Sequence, residues 1–234
     1  MSKRRNNQLR PTTIKPFKTN AEGSVVIAMG GTKVLCTASI ASEPPRWIKR
    51  DAEGNPVHGW VSAEYAMLPG STPDRKRRGT DGRSTEIQRL IGRVLRAAVD
   101  MDKMPGLSIT CDCDVLSADG GTRTAAITGA WVALAQAIAK ARKDGRITTQ
   151  PLLGPVAAVS VGVIDGKAYL DLDYPLDVRA EVDMNVAMNH KGDFIEVQGT
   201  GEKGTFSRDE LDTLLDLAGK GIKKLMTLQR AVVK

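Results

Sequence analysis

The stretch LSITCDCDV at residues 107–115, with ADGGTRT at 118–124 close behind it, decides how the rest of the chain reads. The first part alternates as a strand. Ile109, Cys111, Cys113 and Val115 share one face, and Thr110, Asp112 and Asp114 the other. The second part is a glycine-rich corner. It leads into a helix of about twenty residues with Ile127, Ala130, Trp131, Leu134 and Ile138 inward. A strand running through a tight corner into a long helix is the unit around which the other segments arrange.

Upstream, residues 24–29 (SVVIAM) and 33–40 (KVLCTASI) read as a hairpin across Gly30-Gly31-Thr32. Residues 43–58, broken by Pro44-Pro45 and Gly54-Asn55-Pro56, read as a loop, and so does the basic run GSTPDRKRRGTDGR at 70–83. Residues 84–101 read as a helix with one apolar stripe through Ile87, Leu90, Ile91, Val94, Leu95 and Ala98. Arg89, Arg93 and Arg96 fall on another face. Downstream, 156–164 and 167–173 form a hairpin across Asp165-Gly166, and 174–181 reads as an irregular connection. Val182 to Met188 alternates as a strand, Phe194 to Val197 makes another, and Ser207 to Glu210 is a capping box opening the last helix. Strands and helices mixed with several hairpins predict an α+β fold rather than a doubly wound parallel sheet. No Ser-, Gly- or Pro-rich linker divides the 234 residues, so residues 1–234 are expected to form a single domain with a basic N-terminal segment, 1–18.

The charge is unevenly spread. Residues 1–18 carry six basic side chains and no acid, and 74–96 carry eight against three, so the rest of the chain is slightly acidic although the whole is +7. Two cationic clusters on such a body suggest a polyanion partner. Ala125 to Ala139 is too short and too interrupted to span a membrane. The basic N-terminus has no apolar stretch behind it to make a signal peptide. Three cysteines, Cys36, Cys111 and Cys113, make no disulfide framework, and buried thiols explain them better than zinc ligands. A soluble protein in a reducing compartment, the cytoplasm, is the expectation.

Chemistry is constrained by what is missing. There are two histidines, His58 and His190, both in predicted turns or loops, which weakens any Ser–His–Asp triad or HExxH zinc site. No GxSxG elbow, P-loop ending or GxGxxG fingerprint occurs. Gly120-Gly121 before a helix, followed by Thr122 and Arg123, can cradle a tetrahedral oxyanion. The same residues also suit a turn that merely needs glycine. Asp177 and Asp183, six residues apart around the irregular connection, can hold Mg²⁺ if the fold brings them together. They can equally be surface aspartates.

These pieces converge on one resemblance. The chain resembles the ribonuclease PH family from Asn7 to about Ala231. The likeness is carried by Asn7 to Pro11, Ala21 to Ser24, Thr32 to Ser39, Ala63 to Tyr65, Glu86 to Arg93, Asp112 to Ala130, Val156 to Gly162, Asp183 to Val186 and Glu196 to Thr200. The resemblance implies a two-lobed fold and a phosphorolytic 3′→5′ exoribonuclease, which trims precursor tRNA, releases nucleoside diphosphates and works in reverse as a nucleotidyltransferase. It places inorganic phosphate on Arg83, Gly121, Thr122 and Arg123, and Mg²⁺ on Asp177 and Asp183. It makes Arg83, Arg123, Asp177 and Asp183 the catalytic set. A tRNA-guiding basic loop matches Arg75, Lys76, Arg77 and Arg78, and the helix behind it adds Arg89 and Arg93 to the RNA-binding expectation. The implied assembly is a homo-hexamer, a trimer of dimers, with no membrane role. Three features depart from the family pattern: a short basic loop with Gly70 where arginine is common, an insertion near 51–57, and Val178 where many members have serine. The alternatives are a catalytically silent RNA-binding ring subunit of an exosome-like assembly and a hydrolytic ribonuclease.

Overall fold

The computed structural model describes residues 4–41, 43–79 and 81–233. Two antiparallel-rich sheets hold the molecule together. In the first, β1 (Thr12–Pro16), β2 (Gly23–Met29), β3 (Thr32–Ala41), β4 (Trp60–Met67) and β5 (Ser108–Ser117) lie in the order β1-β2-β3-β5-β4. All neighbours in it are antiparallel except β4 and β5. The alternation read in 107–115 holds: Ile109, Cys111, Cys113 and Val115 are buried, while Thr110, Asp112 and Asp114 are half-buried. The thiols are free, and burial pushes Cys36 and Cys111 well above the ordinary thiol range, which keeps them protonated and inert.

Helix α1 (Gly82–Arg96) packs its apolar stripe on β4. It stops at Arg96, sooner than its sequence suggests, where the chain turns and Val99 bridges to Leu152. Helix α2 (Thr122–Lys143) runs between the two sheets, touching β2, β3 and β5 on one side and β6 (Val156–Ile164) on the other. That position explains why it is apolar nearly all round.

The second sheet has the order β7-β6-β8-β9, with β7 at Lys167–Leu170, β8 at Val182–Asn189 and β9 at Phe194–Gly201. Asp165 and Gly166 both adopt positive φ, as a two-residue hairpin turn requires. Helix α4 (Arg208–Val232) covers this sheet, and its capping box between Ser207 and Glu210 is present.

Several segments differ from the sequence reading. Residues 12–16 and 60–67 are additional strands at the two edges of the first sheet; β1 is too short to show a pattern, whereas β4 alternates, with Val61, Ala63 and Tyr65 buried. The connection expected to be irregular contains helix α3 (Tyr174–Arg179), started by an Asp173 cap and Pro175. Strand β9 extends four residues past Val197. No helix among the described residues is long and apolar enough to cross a membrane.

Candidate active site

At the hand-over from β5 to α2, Gly120 (φ 72°) and Gly121 (φ 65°) both turn left-handed. A Cβ on Gly120 would lie 2.7 Å from the Leu172 carbonyl oxygen, so this corner sits directly on the backbone that leads into α3. Arg10 fastens the two segments. Its guanidinium donates to the Asp119 carbonyl and pairs with Asp171 at 2.6 Å, and its backbone N–H donates to the other Asp171 oxygen at 2.8 Å. Both side chains are buried, so removing either partner strands a charge at a cost of about 3–5 kcal/mol.

Helix α2 starts without a side-chain cap. Asp81, Asp173 and Ser207 each accept a first-turn N–H in α1, α3 and α4, but Gly121 has no side chain to do so. The unpaired first-turn N–H groups and the positive end of the helix dipole therefore face outward. Thr122 is nearly buried, and its hydroxyl oxygen accepts a hydrogen bond from Tyr65 of β4 at 2.8 Å. Burial pushes the Tyr65 phenol up, so it stays a donor, and the Thr122 proton remains available to an anion.

Arg123, one residue on, donates through Nη1 to Gln198 Oε1 at 2.5 Å and lies 3.7 Å from the Glu86 carboxylate. Arg83, exposed in the first turn of α1, extends its charge to both Tyr65 and Asp177.

Asp177 on α3 and Asp183 on β8 lie close enough here for the charge of one to act on the other. Burial pushes Asp183 up to about 6, and the Asp177 charge adds to it. Partial desolvation also raises Asp177, although the residue is exposed, against the pull of Arg83 and Arg123. Asp183 Oδ1 is buried and has no hydrogen-bond partner. Two converging carboxylates, one with an unsatisfied buried oxygen, fit a hard divalent cation, and Mg²⁺ commonly takes one or two protein carboxylates. Among the described residues no three His, Cys, Asp or Glu side chains close on one point. Glu202 contributes a further negative charge nearby.

From this ground a cleft of about 410 Å³ runs between α1 and β9, past Thr85, Glu86, Arg89, Arg93, Glu196 and Gln198. Arg93 pairs with Glu196 at 2.6 Å across it, which ties the first sheet's helix to the second sheet's edge strand.

Against known proteins, residues 8–139 match the 3′ exoribonuclease family, domain 1, and residues 154–221 match domain 2 of that family. Ribonuclease PH of Corynebacterium efficiens is 53% identical over 98% of this chain and 94% of that protein, and the Corynebacterium glutamicum protein of the same name is 50% identical over the same shares. The chain belongs to the ribonuclease PH family. It is a phosphate-dependent 3′ exoribonuclease by that membership. Among solved structures, an Archaeoglobus fulgidus exosome with RNA bound to the active site superposes with a TM-score of 0.78 at 20% identity, covering 95% of this chain and 89% of that one. An archaeal exosome core gives 0.78 at 19%, covering 97% and 89%. These two establish the shared ribonuclease PH fold.

Within that fold, the charges of Arg83 and Arg123 reach Asp177, and those of Arg123 and Asp177 reach Asp183, although these residues arise from α1, α2, α3 and β8. Arg75, Lys76, Arg77 and Arg78 are exposed on the loop before α1 and form no ion pair among the described residues. Arg89 and Arg93 line the cleft. Arg96 departs from their row: it turns inward over the Trp60 ring at 4.6 Å and donates to the Val61 carbonyl. Val178 is exposed beside Asp177. Sequence reading passed over Arg10, Tyr65, Glu86, Gln198 and Glu202 as site residues. Four of the five lie inside or beside the quoted runs, but nothing in their residue type announces contacts across 50 to 160 positions.

Proposed function

We propose that this enzyme trims the 3′ ends of precursor tRNA by phosphorolysis, releases nucleoside diphosphates, and extends RNA when diphosphate is in excess. The observation that carries the reading is the approach of an uncapped helix end and two guanidinium groups to a pair of carboxylates, one of which has a buried, unpartnered oxygen. One half suits a small anion, the other a divalent cation, and the chain brings no nucleophile of its own to the meeting point.

Arg83, Arg123, the Thr122 hydroxyl and the amides after Gly121 bind inorganic phosphate and orient one of its oxygens toward the last phosphodiester. That oxygen forms a bond to phosphorus as the bond to the 3′ oxygen of the preceding nucleotide breaks. The diphosphate product takes its β-phosphate from the co-substrate, and the shortened chain keeps a 3′ hydroxyl. One phosphate linkage replaces another, so the step runs in both directions. Asp177 and Asp183 would hold Mg²⁺, which when bound supplies positive charge to the phosphoryl oxygens. Arg75, Lys76, Arg77 and Arg78, with Arg89 and Arg93, hold the RNA backbone, so binding falls steeply with salt. The working assembly is a homo-hexamer, a trimer of dimers, in the cytoplasm.

Chromatography of the products with and without added phosphate tests the reading. Diphosphates formed in proportion to phosphate support it. Monophosphates formed without phosphate overturn it, as does a complete absence of products.

A further inference from the structure

Three polar side chains close a ring at the mouth of the cleft. Arg123 donates to Gln198 Oε1 at 2.5 Å, Gln198 Nε2 donates to Glu86 Oε1 at 3.3 Å, and the Glu86 carboxylate lies 3.7 Å from Arg123. The members come from α2, β9 and α1, so the ring joins elements of both sheets. Its chemistry is specific. An amide can accept from a guanidinium and donate to a carboxylate at the same time, which neither a carboxylate nor an ammonium or guanidinium can do. Gln198 is also the cross-strand partner of Asn185, two residues along β8 from Asp183, so the strand that fixes the carboxylate also fixes the arginine.

We infer that Gln198 and Glu86 are positioning residues, a clamp on one edge of the Arg123 guanidinium that leaves its other edge aimed at the phosphate co-substrate. The inference rests on the reading that Arg123 holds phosphate. A free arginine side chain samples many rotamers, and pinning one edge removes that freedom before the anion arrives. The clamp also sets the span between the anion and the β8 carboxylate, which in-line attack requires to be constant.

The test measures KM for phosphate, KM for RNA, kcat and thermal melting in Gln198→Ala, Gln198→Met, Glu86→Ala and the Gln198→Ala/Glu86→Ala double variant, beside Arg123→Ala. Each clamp variant should raise the phosphate KM about tenfold, the loss of a hydrogen bond to a charged group, with RNA KM and melting unchanged. The double variant should be no worse than about twofold beyond either single one, because the two residues act as one unit. Gln198→Met keeps the bulk and should show the same defect as Gln198→Ala. An unchanged phosphate KM in Gln198→Ala, rescue by methionine, or single effects that multiply in the double variant each overturn the clamp. If Arg123→Ala itself leaves phosphate dependence intact, the fault lies in the phosphate-site reading beneath it.

Discussion

Helices α4 and α2 begin in opposite ways. At α4, Ser207 accepts from the Glu210 N–H at 3.2 Å and Glu210 accepts from the Ser207 N–H at 2.7 Å, so the helix end is closed by its own side chains. At α2, Gly121 offers nothing, and the first-turn N–H groups beside Thr122 and Arg123 remain open. Asp183 repeats the contrast among acids: its Oδ1 is buried without a partner, while the fully buried Asp171 is engaged through both oxygens by Arg10. Where the protein needs only to stand, its polar groups satisfy one another. Where they stay unsatisfied, the proposed partners are the co-substrate and a divalent cation.

The largest expected effect comes from stripping the open end. Arg123→Ala or Arg83→Ala should cut phosphate-dependent turnover by about 10²–10³-fold, the scale for losing a preorganised charge donor, while melting and much of the RNA affinity persist. Full activity in either variant would erase the contrast between the two helix starts. Asp183→Asn should abolish Mg²⁺-dependent turnover and also act on stability without metal. Because the folded state holds the Asp183 proton up to about 6, its favourable contribution is complete below the unfolded value and is lost as pH rises through about 6. Metal-free Asp183→Asn should therefore be about 1–3 kcal/mol more stable than the parent at pH 8, with the gap closing by pH 4, as denaturant titration can show. Added Mg²⁺ should stabilise the parent and not the variant.

Neutralising Arg75, Arg77 and Arg78 together should raise the KM for tRNA by about three- to tenfold, more than for a short oligonucleotide, and flatten the salt dependence of binding. Equal effects on both substrates would argue against a guiding loop. Smallest in reach is Ser207→Ala, which should cost about 1 kcal/mol in unfolding free energy and leave the phosphate KM unchanged. A kinetic defect there would mean that closed and open helix ends do not divide structure from function.

Much of this was legible from residues alone. The alternation of Ile109 to Val115, the Asp165-Gly166 turn and the Ser207 to Glu210 box each state their structure locally, because strand faces, left-handed turns and caps are set by near neighbours. The anion corner was legible as a possibility and became specific through the family resemblance. What the sequence withheld is long-range. Gln198 meets Arg123 across 75 positions and Glu86 across 112, and no periodicity encodes such a meeting. Helix α3 escaped because its six residues show no apolar stripe, being placed by a cap and a proline instead. Arg96 misled for a related reason: its spacing matches Arg89 and Arg93, yet a Trp60 ring beneath it turns the side chain inward.

The central claim is that a bound inorganic anion, gripped by Arg83 and Arg123, breaks the terminal RNA linkage. Supplying ³²P-labelled inorganic phosphate with unlabelled RNA reads this directly. The account predicts label in the β-phosphate of every released nucleoside diphosphate, one per nucleotide removed, and release slowed about 10²–10³-fold after Arg123→Ala. Unlabelled nucleoside monophosphates released at the same rate would contradict it.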